Sequence, residues 1–234
     1  MLDFFLSKIF PPVCVWCHNQ WAYICWLCKK KLLLHPEICL VCKKPNNDFF
    51  IHRWCGLVSK SSLVWCVIVF CYYSLIKKIL LKIKYSHRRH YLSFLVSQSA
   101  LLLRAHCVYV NDMTCTNTII TWVPSHWRRH YFIKWYNQST MIAKALATEL
   151  WYQYSDITRK VRHTWSQVWR TRQQRQQNVS DVFFCHKTLP KNVEYIIICD
   201  DVTTTGATLQ ALAFAIQQVN PHVRIRWCAV ARHA

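Results

Sequence analysis

A run of apolar residues from Tyr195 to Cys199 ends on two adjacent carboxylates, Asp200 and Asp201. The run is short, continuous and rich in isoleucine, the pattern of a strand buried on both faces of a parallel sheet. A turn of three threonines and one glycine follows. Leu209, Leu212, Ala213, Ile216 and Val219 then recur at three- and four-residue steps, which predicts a helix. Strand, acid pair, hydroxyl-rich turn and helix in this order point to an open α/β sheet, whose carboxyl edge is where ligands sit.

The turn has the chemistry of a phosphate cradle. Amides at a helix start lack intrahelical partners and carry the positive end of the macrodipole. Thr203, Thr204, Thr205 and Thr208 add hydroxyl donors, Ala207 adds a first-turn amide, and Gly206 permits a backbone path that a Cβ would block. The chain has only 2 glycines, so this one is informative. A phosphate held there brings an attached sugar towards Asp200 and Asp201. Those carboxylates can accept from two ribose hydroxyls or hold a hydrated Mg²⁺. The competing reading is a plain strand–turn–helix whose Asp and Thr residues only cap the helix.

The amino-terminal part is organised by cysteine. Cys14-x-x-Cys17, Cys25-x-x-Cys28 and Cys39-x-x-Cys42 follow one another, with Cys55 beyond. Two such pairs complete a tetrahedral Zn²⁺ site, and Cys14, Cys17, Cys25 and Cys28 are the preferred ligands. Cys39, Cys42 and Cys55 suggest a second site, short of a fourth cysteine, with His52 as a further donor. Disulfides or buried free thiols are the alternatives. The later cysteines, from Cys66 to Cys228, read as core.

Thirty basic residues against 10 acidic ones give a formal charge of +20, a surplus that attracts polyanions. Compositional bias of the source proteome is the bland explanation. The apolar run Leu63 to Ile76 is too short to span a bilayer and reads as a buried strand leading into a helix. No targeting segment is convincing either, so no membrane span and a cytoplasmic location are expected.

The segment 195–209 resembles the 5-phosphoribosyl-1-pyrophosphate (PRPP) motif of type I phosphoribosyltransferases. Together with the cysteine pairs it is similar to the ComF/GntX family, in which a short zinc finger precedes such a domain. Three further stretches carry the resemblance: the helix-like Ser74–Tyr85, the segment Val123-Pro124 to Asn137-Gln138, and the arginine-rich Arg159–Phe184. The fold expected is a type I phosphoribosyltransferase-like parallel sheet with helices on both faces over 61–234, after a Cys-rich zinc module over 1–60.

The resemblance implies that the turn holds the 5-phosphate of PRPP, that Asp200 and Asp201 are the catalytic pair on the ribose, and that Mg²⁺ accompanies the pyrophosphate. Arg128, Arg129 and Lys134 would face the pyrophosphate, and Arg175 and Asn178 would belong to a flap. It further implies a tie to DNA uptake or use of external DNA, with single-stranded nucleic acid and a competence or helicase-type protein as partners. Trp135 stands where the family motif has a glycine. Two functions follow: a Mg²⁺-dependent phosphoribosyltransferase, or a catalytically inactive nucleic-acid-binding accessory protein that uses the finger and the basic surface.

Overall fold

The structure is a computed structural model that describes residues 11–40, 42–46, 50–52, 55, 63–86, 90–107, 113–124, 137–161, 182–204 and 206–233. The described elements are α1 (Trp26–Lys29), β1 (Leu63–Cys71), α2 (Ser74–Ser86), α3 (His90–Cys107), β2 (Thr118–Trp122), α4 (Gln138–Leu150), β3 (Gln153–Tyr154), β4 (Thr158–Lys160), β5 (Phe183–Cys185), β6 (Tyr195–Thr203), α5 (Ala207–Val219) and β7 (Arg224–Arg232). Five strands form one sheet in the order β1-β7-β6-β2-β3, and every neighbouring pair is parallel. β4 and β5 pair separately and antiparallel. The expected parallel α/β fold is therefore the observed one.

The reason lies in two-sided burial. Along β6, Ile197 and Cys199 enter one apolar cluster and Ile196 and Ile198 enter the other. Successive side chains of a strand point to opposite faces, so a run without polar residues needs cover on both. The stripes of α2, α3 and α4 (Leu75, Ile79 and Ile83; Leu95 and Leu103; Ile142 and Leu146) cover one face. The stripe of α5, from Leu209 to Ile216, covers the other together with Val182 and Phe183. Four lysines of α2 stay exposed, as a solvated helix face requires. Of the apolar positions whose spacing predicts α4 (Met141, Ile142, Ala145, Leu146 and Leu150), Ile142 and Leu146 are buried together with Ala143 and Ala147, and the other three are half-buried. At the end of α5, Val219 is exposed.

β7 lies inside the sheet, between β1 and β6, which leaves β1 on an edge. The cysteine-rich segment covers that edge. Leu34 bridges Phe70 and Phe50 bridges Trp65, both antiparallel. The amide of His35 donates to Val69 O and that of Cys71 to Leu33 O, each at 3.0 Å. Its two halves also pack on opposite faces: Cys14, Ile24 and Cys28 join the cluster under α2–α4, while Cys39, Leu40 and Ile51 join the one under α5. Of the later cysteines, Cys66, Cys185, Cys199 and Cys228 are buried as expected, but Cys115 is exposed in a turn. Among the described residues no helix is long and apolar enough to cross a membrane.

Candidate functional site

β6 continues past its apolar run and stays paired through Thr203, so Asp200 and Asp201 are fixed on the last turns of a central strand. Both are partly buried. Ser139, the second residue of α4, is buried and places its hydroxyl 3.3 Å from Asp200 Oδ1 and 3.4 Å from Asp201 Oδ1. Asp200 Oδ1 also accepts from the Asp201 amide at 3.0 Å. Burial pushes the Asp200 carboxyl well above the ordinary carboxylate range, and the Asp201 charge pushes it further; the Asp201 amide and the Ser139 hydroxyl pull the other way. Such a pair is short of positive charge or hydroxyl donors, the two things a metal-bound sugar phosphate supplies.

Ser139 was not among the residues expected from the sequence. Its signal is local, a hydroxyl just inside a helix start. The Asn137 side chain accepts from the Ser139 amide at 3.0 Å and caps α4. Gln138 donates to Leu80 O at 2.7 Å, pinning the start of α4 to α2. These two bonds aim the start of α4 at the acid pair.

The second helix start is that of α5. Gly206 is its N-cap, with φ 78° and ψ 1°. Leu209 and Gln210 donate to Gly206 O, each at 3.1 Å, while the exposed Ala207 and Thr208 occupy the first turn, where helix geometry offers an amide no partner. Thr204 is exposed and Thr203 is buried. Thr203, Thr204, Gly206, Ala207 and Thr208 thus share the carboxyl edge of the sheet with the acid pair. Thr205 lies outside the described residues, as do Arg128, Arg129, Lys134, Arg175 and Asn178.

Gly206 has little room for any other residue. A Cβ there would lie 2.8 Å from Leu40 Cδ2, in a backbone region that L side chains disfavour. Gly206→Ala is expected to cost about 1–2 kcal/mol, lowering the thermal midpoint by roughly 4 °C. Calorimetric scanning of the two proteins measures it. An unchanged midpoint would show the turn to be far looser than its packing implies.

The cysteines gather into two groups. Cys14, Cys17, Cys25 and Cys28 bring their donor atoms within 4.8 Å of one another, and so do Cys39, Cys42, His52 and Cys55. His52 therefore fills the place for which the spacing offered no fourth cysteine; Cys42 Sγ lies 3.2 Å from its Nδ1. In the first group, burial raises the Cys14 thiol, but amides of Cys25, Cys17 and Trp16 outweigh it and bring the pKa down to about 6. Cys28 is pushed up to about 12 by burial, by its thiol neighbours and by the charge on Cys14. Cys55 is likewise pushed up to about 12, by burial and then by Cys42 and Cys39. Four donors within reach of one point match the ligand number of a tetrahedral site, so both sets fit one metal ion each.

Residues 137–234 match the model of the phosphoribosyl transferase domain family, starting at the cap of α4 and spanning the acid pair and the Gly206 turn. Over 224 residues the chain is 28% identical to the DNA utilization protein YhgH of Shigella flexneri, covering 88% of this chain and 95% of that protein. The YhgH protein of Escherichia coli strain K12 is 27% identical over the same length, with the same coverage. That of Salmonella typhimurium is 26% identical over 227 residues. The parallel sheet with its acids and glycine turn on one edge, preceded by two four-donor cysteine groups, thus lies in a chain that matches the phosphoribosyl transferase domain over residues 137–234 and is similar over most of its length to DNA utilization proteins.

Proposed function

We propose that the carboxyl edge binds PRPP or a related ribose phosphate and that the protein serves the use of external DNA, as the names of its relatives suggest. The observation that carries this reading is Ser139, at the start of α4, bonded to both Asp200 and Asp201 on the strand that runs into the Gly206 turn and α5. Amides of Ala207 and Thr208 and hydroxyls of Thr204, Thr205 and Thr208 hold the 5-phosphate. Asp200 and Asp201 accept from the ribose hydroxyls. Ser139 keeps the two carboxylates together and offers its hydroxyl to one of them at a time.

If the chain is catalytic, the reaction displaces pyrophosphate from C1 through an oxocarbenium-like transition state. Mg²⁺ would supply charge neutralisation on the pyrophosphate, with Arg128, Arg129 and Lys134 as its basic partners and Arg175 and Asn178 in a flap. Zn²⁺ is the metal best matched to the Cys₄ and Cys₃His sets, as a structural ion in each. Thiolate donors of this kind ask for a reducing compartment such as the cytoplasm.

Titration calorimetry of the full chain with PRPP and Mg²⁺ tests the reading. Saturable binding is expected, weakened at least tenfold in Asp201→Asn, because a carboxylate bonded to sugar hydroxyls in a half-buried site contributes about 1.5–3 kcal/mol. A wild-type chain without affinity for PRPP would refute it. The charge of +20 favours a second reading, an accessory protein without catalysis that binds single strands. Tight single-strand binding that weakens steeply with salt, without PRPP affinity, would establish that reading instead.

A further inference from the structure

The second cysteine group lies against the phosphate turn. Leu40 stands between Cys39 and Cys42, and its side chain is buried against Gly206 closely enough to meet any Cβ there at 2.8 Å. The backbone of the same residue is gripped from the sheet. Arg232, at the carboxyl end of β7, donates from Nη2 to Leu40 O at 2.9 Å. Arg232 in turn pairs with Thr203 in the strand register, and the following amide, His233 N, donates to Thr203 O at 2.9 Å. The Arg232 guanidinium is buried and its Nη1 finds no partner among the described residues, so Leu40 O is the anchor that this end of the side chain has.

The segment presenting Leu40 is short and tightly turned. Lys43 N donates to Cys39 O at 3.0 Å, Cys39 N donates to Lys44 O at 2.9 Å, and Lys43 adopts a φ of 59°. Turns of this kind hold their shape when both thiolates grip one ion. An ion there would add to the Arg232 bond and the core packing in setting the depth of Leu40.

We propose that Leu40 is a positioning residue through which metal in the Cys39–Cys42–His52–Cys55 centre and a sugar phosphate in the Gly206 turn favour each other. The proposal rests on the ribose-phosphate reading above. Metal fixes Leu40, Leu40 fixes Gly206, and the amides of the α5 start are thereby preset for the phosphate. Coupling of this sort is reciprocal: a ligand that gains affinity from the metal must hold the metal more tightly by the same factor.

The test uses the full chain. Metal per chain is counted, PRPP affinity is measured by calorimetry with Mg²⁺, and metal transfer to a chromogenic chelator is timed with and without PRPP. Leu40→Ala is expected to keep both metals and to lose about fivefold or more in PRPP affinity, with Leu40→Met restoring most of it. Saturating PRPP is expected to slow the release of one of two metals from the wild type. In Cys42→Ser, which holds only the first centre, PRPP should leave the release rate unchanged. PRPP binding by the wild type with unaltered release and an unaltered Leu40→Ala affinity would overturn the coupling and leave the binding site standing. No PRPP binding at all would overturn both. If the variants fail to fold, the release rates of the wild type decide.

Discussion

Stripping metal from the full chain with a chelator is expected to lower its thermal midpoint by roughly 10 °C or more and to make it aggregate. Structural zinc is worth on the order of 10 kcal/mol in small cysteine folds, and each kcal/mol moves the midpoint of a chain this size by about 2–4 °C. The described part of the amino-terminal segment has little else to hold it. Its regular structure is the single turn of α1 and a few isolated bridges. It leaves Trp21, Trp26, Leu27, Leu33 and Leu34 exposed, and what it buries, such as Val15, Ile24, Leu40 and Ile51, packs into the clusters on the sheet rather than into a core of its own. The same residues cover the edge of β1, and their release uncovers unpaired backbone groups ready to join another chain. Scanning calorimetry with light scattering, before and after chelation and after adding Zn²⁺ back, measures this. A fully metal-free chain with an unchanged midpoint would show that neither cysteine group is a structural metal centre.

Asp200→Asn is expected to stabilise the unliganded protein while abolishing its affinity for PRPP. Asp200 is held above the ordinary carboxylate range by burial and by the Asp201 charge beside it. Its folded pKa is thus higher than its unfolded one. The stability it contributes is complete below the unfolded value and is lost as pH rises through the folded one. Ionising a buried carboxyl beside a second acid carries a penalty that the neutral amide avoids. The midpoint difference between variant and wild type should therefore be smallest in acid, grow as pH rises, and level off above the folded pKa. Thermal scans of both proteins across that range check the sign. A variant less stable than the wild type at neutral pH would mean that Asp200 is a structural hydrogen-bond acceptor rather than a ligand group held at a cost. Functional sites commonly carry such strain, and relieving it removes the function with it.

Asp200 and Gly206 could be singled out from the sequence because what marks them is local. A continuous isoleucine run, two acids and a glycine lie within a dozen residues of one strand–turn–helix, and each obeys a short-range rule of burial or backbone freedom. The cysteine pairs were legible for the same reason, since two thiols three residues apart can grip one ion from a single turn. The inward stripe of α2 followed from helical periodicity alone.

Other parts of the site depend on distance along the chain. Ser139 reaches the acid pair from 61 residues away in sequence, by virtue of a helix start that only the packing of α4 against β6 brings there. His52 joins Cys39, Cys42 and Cys55 through a loop whose spacing fits no simple motif. Leu40 and Arg232 meet from opposite ends of the chain, 192 residues apart. Arg232 looks from its neighbours like the polar end of a final strand, yet the sheet order sets that strand between two others and the guanidinium is buried.

The amino-acid sequence by itself determined which segments become buried strands, which become amphipathic helices, and where the acid pair, the glycine turn and the cysteine pairs fall, because those properties rest on periodicities of two, three and four residues. Tertiary structure alone decided the strand order, the cover over β1, the hydroxyl between the two acids, and the contact of the second cysteine group with the glycine turn. Pairing between distant segments depends on which surfaces find complementary partners, and no short-range pattern encodes that.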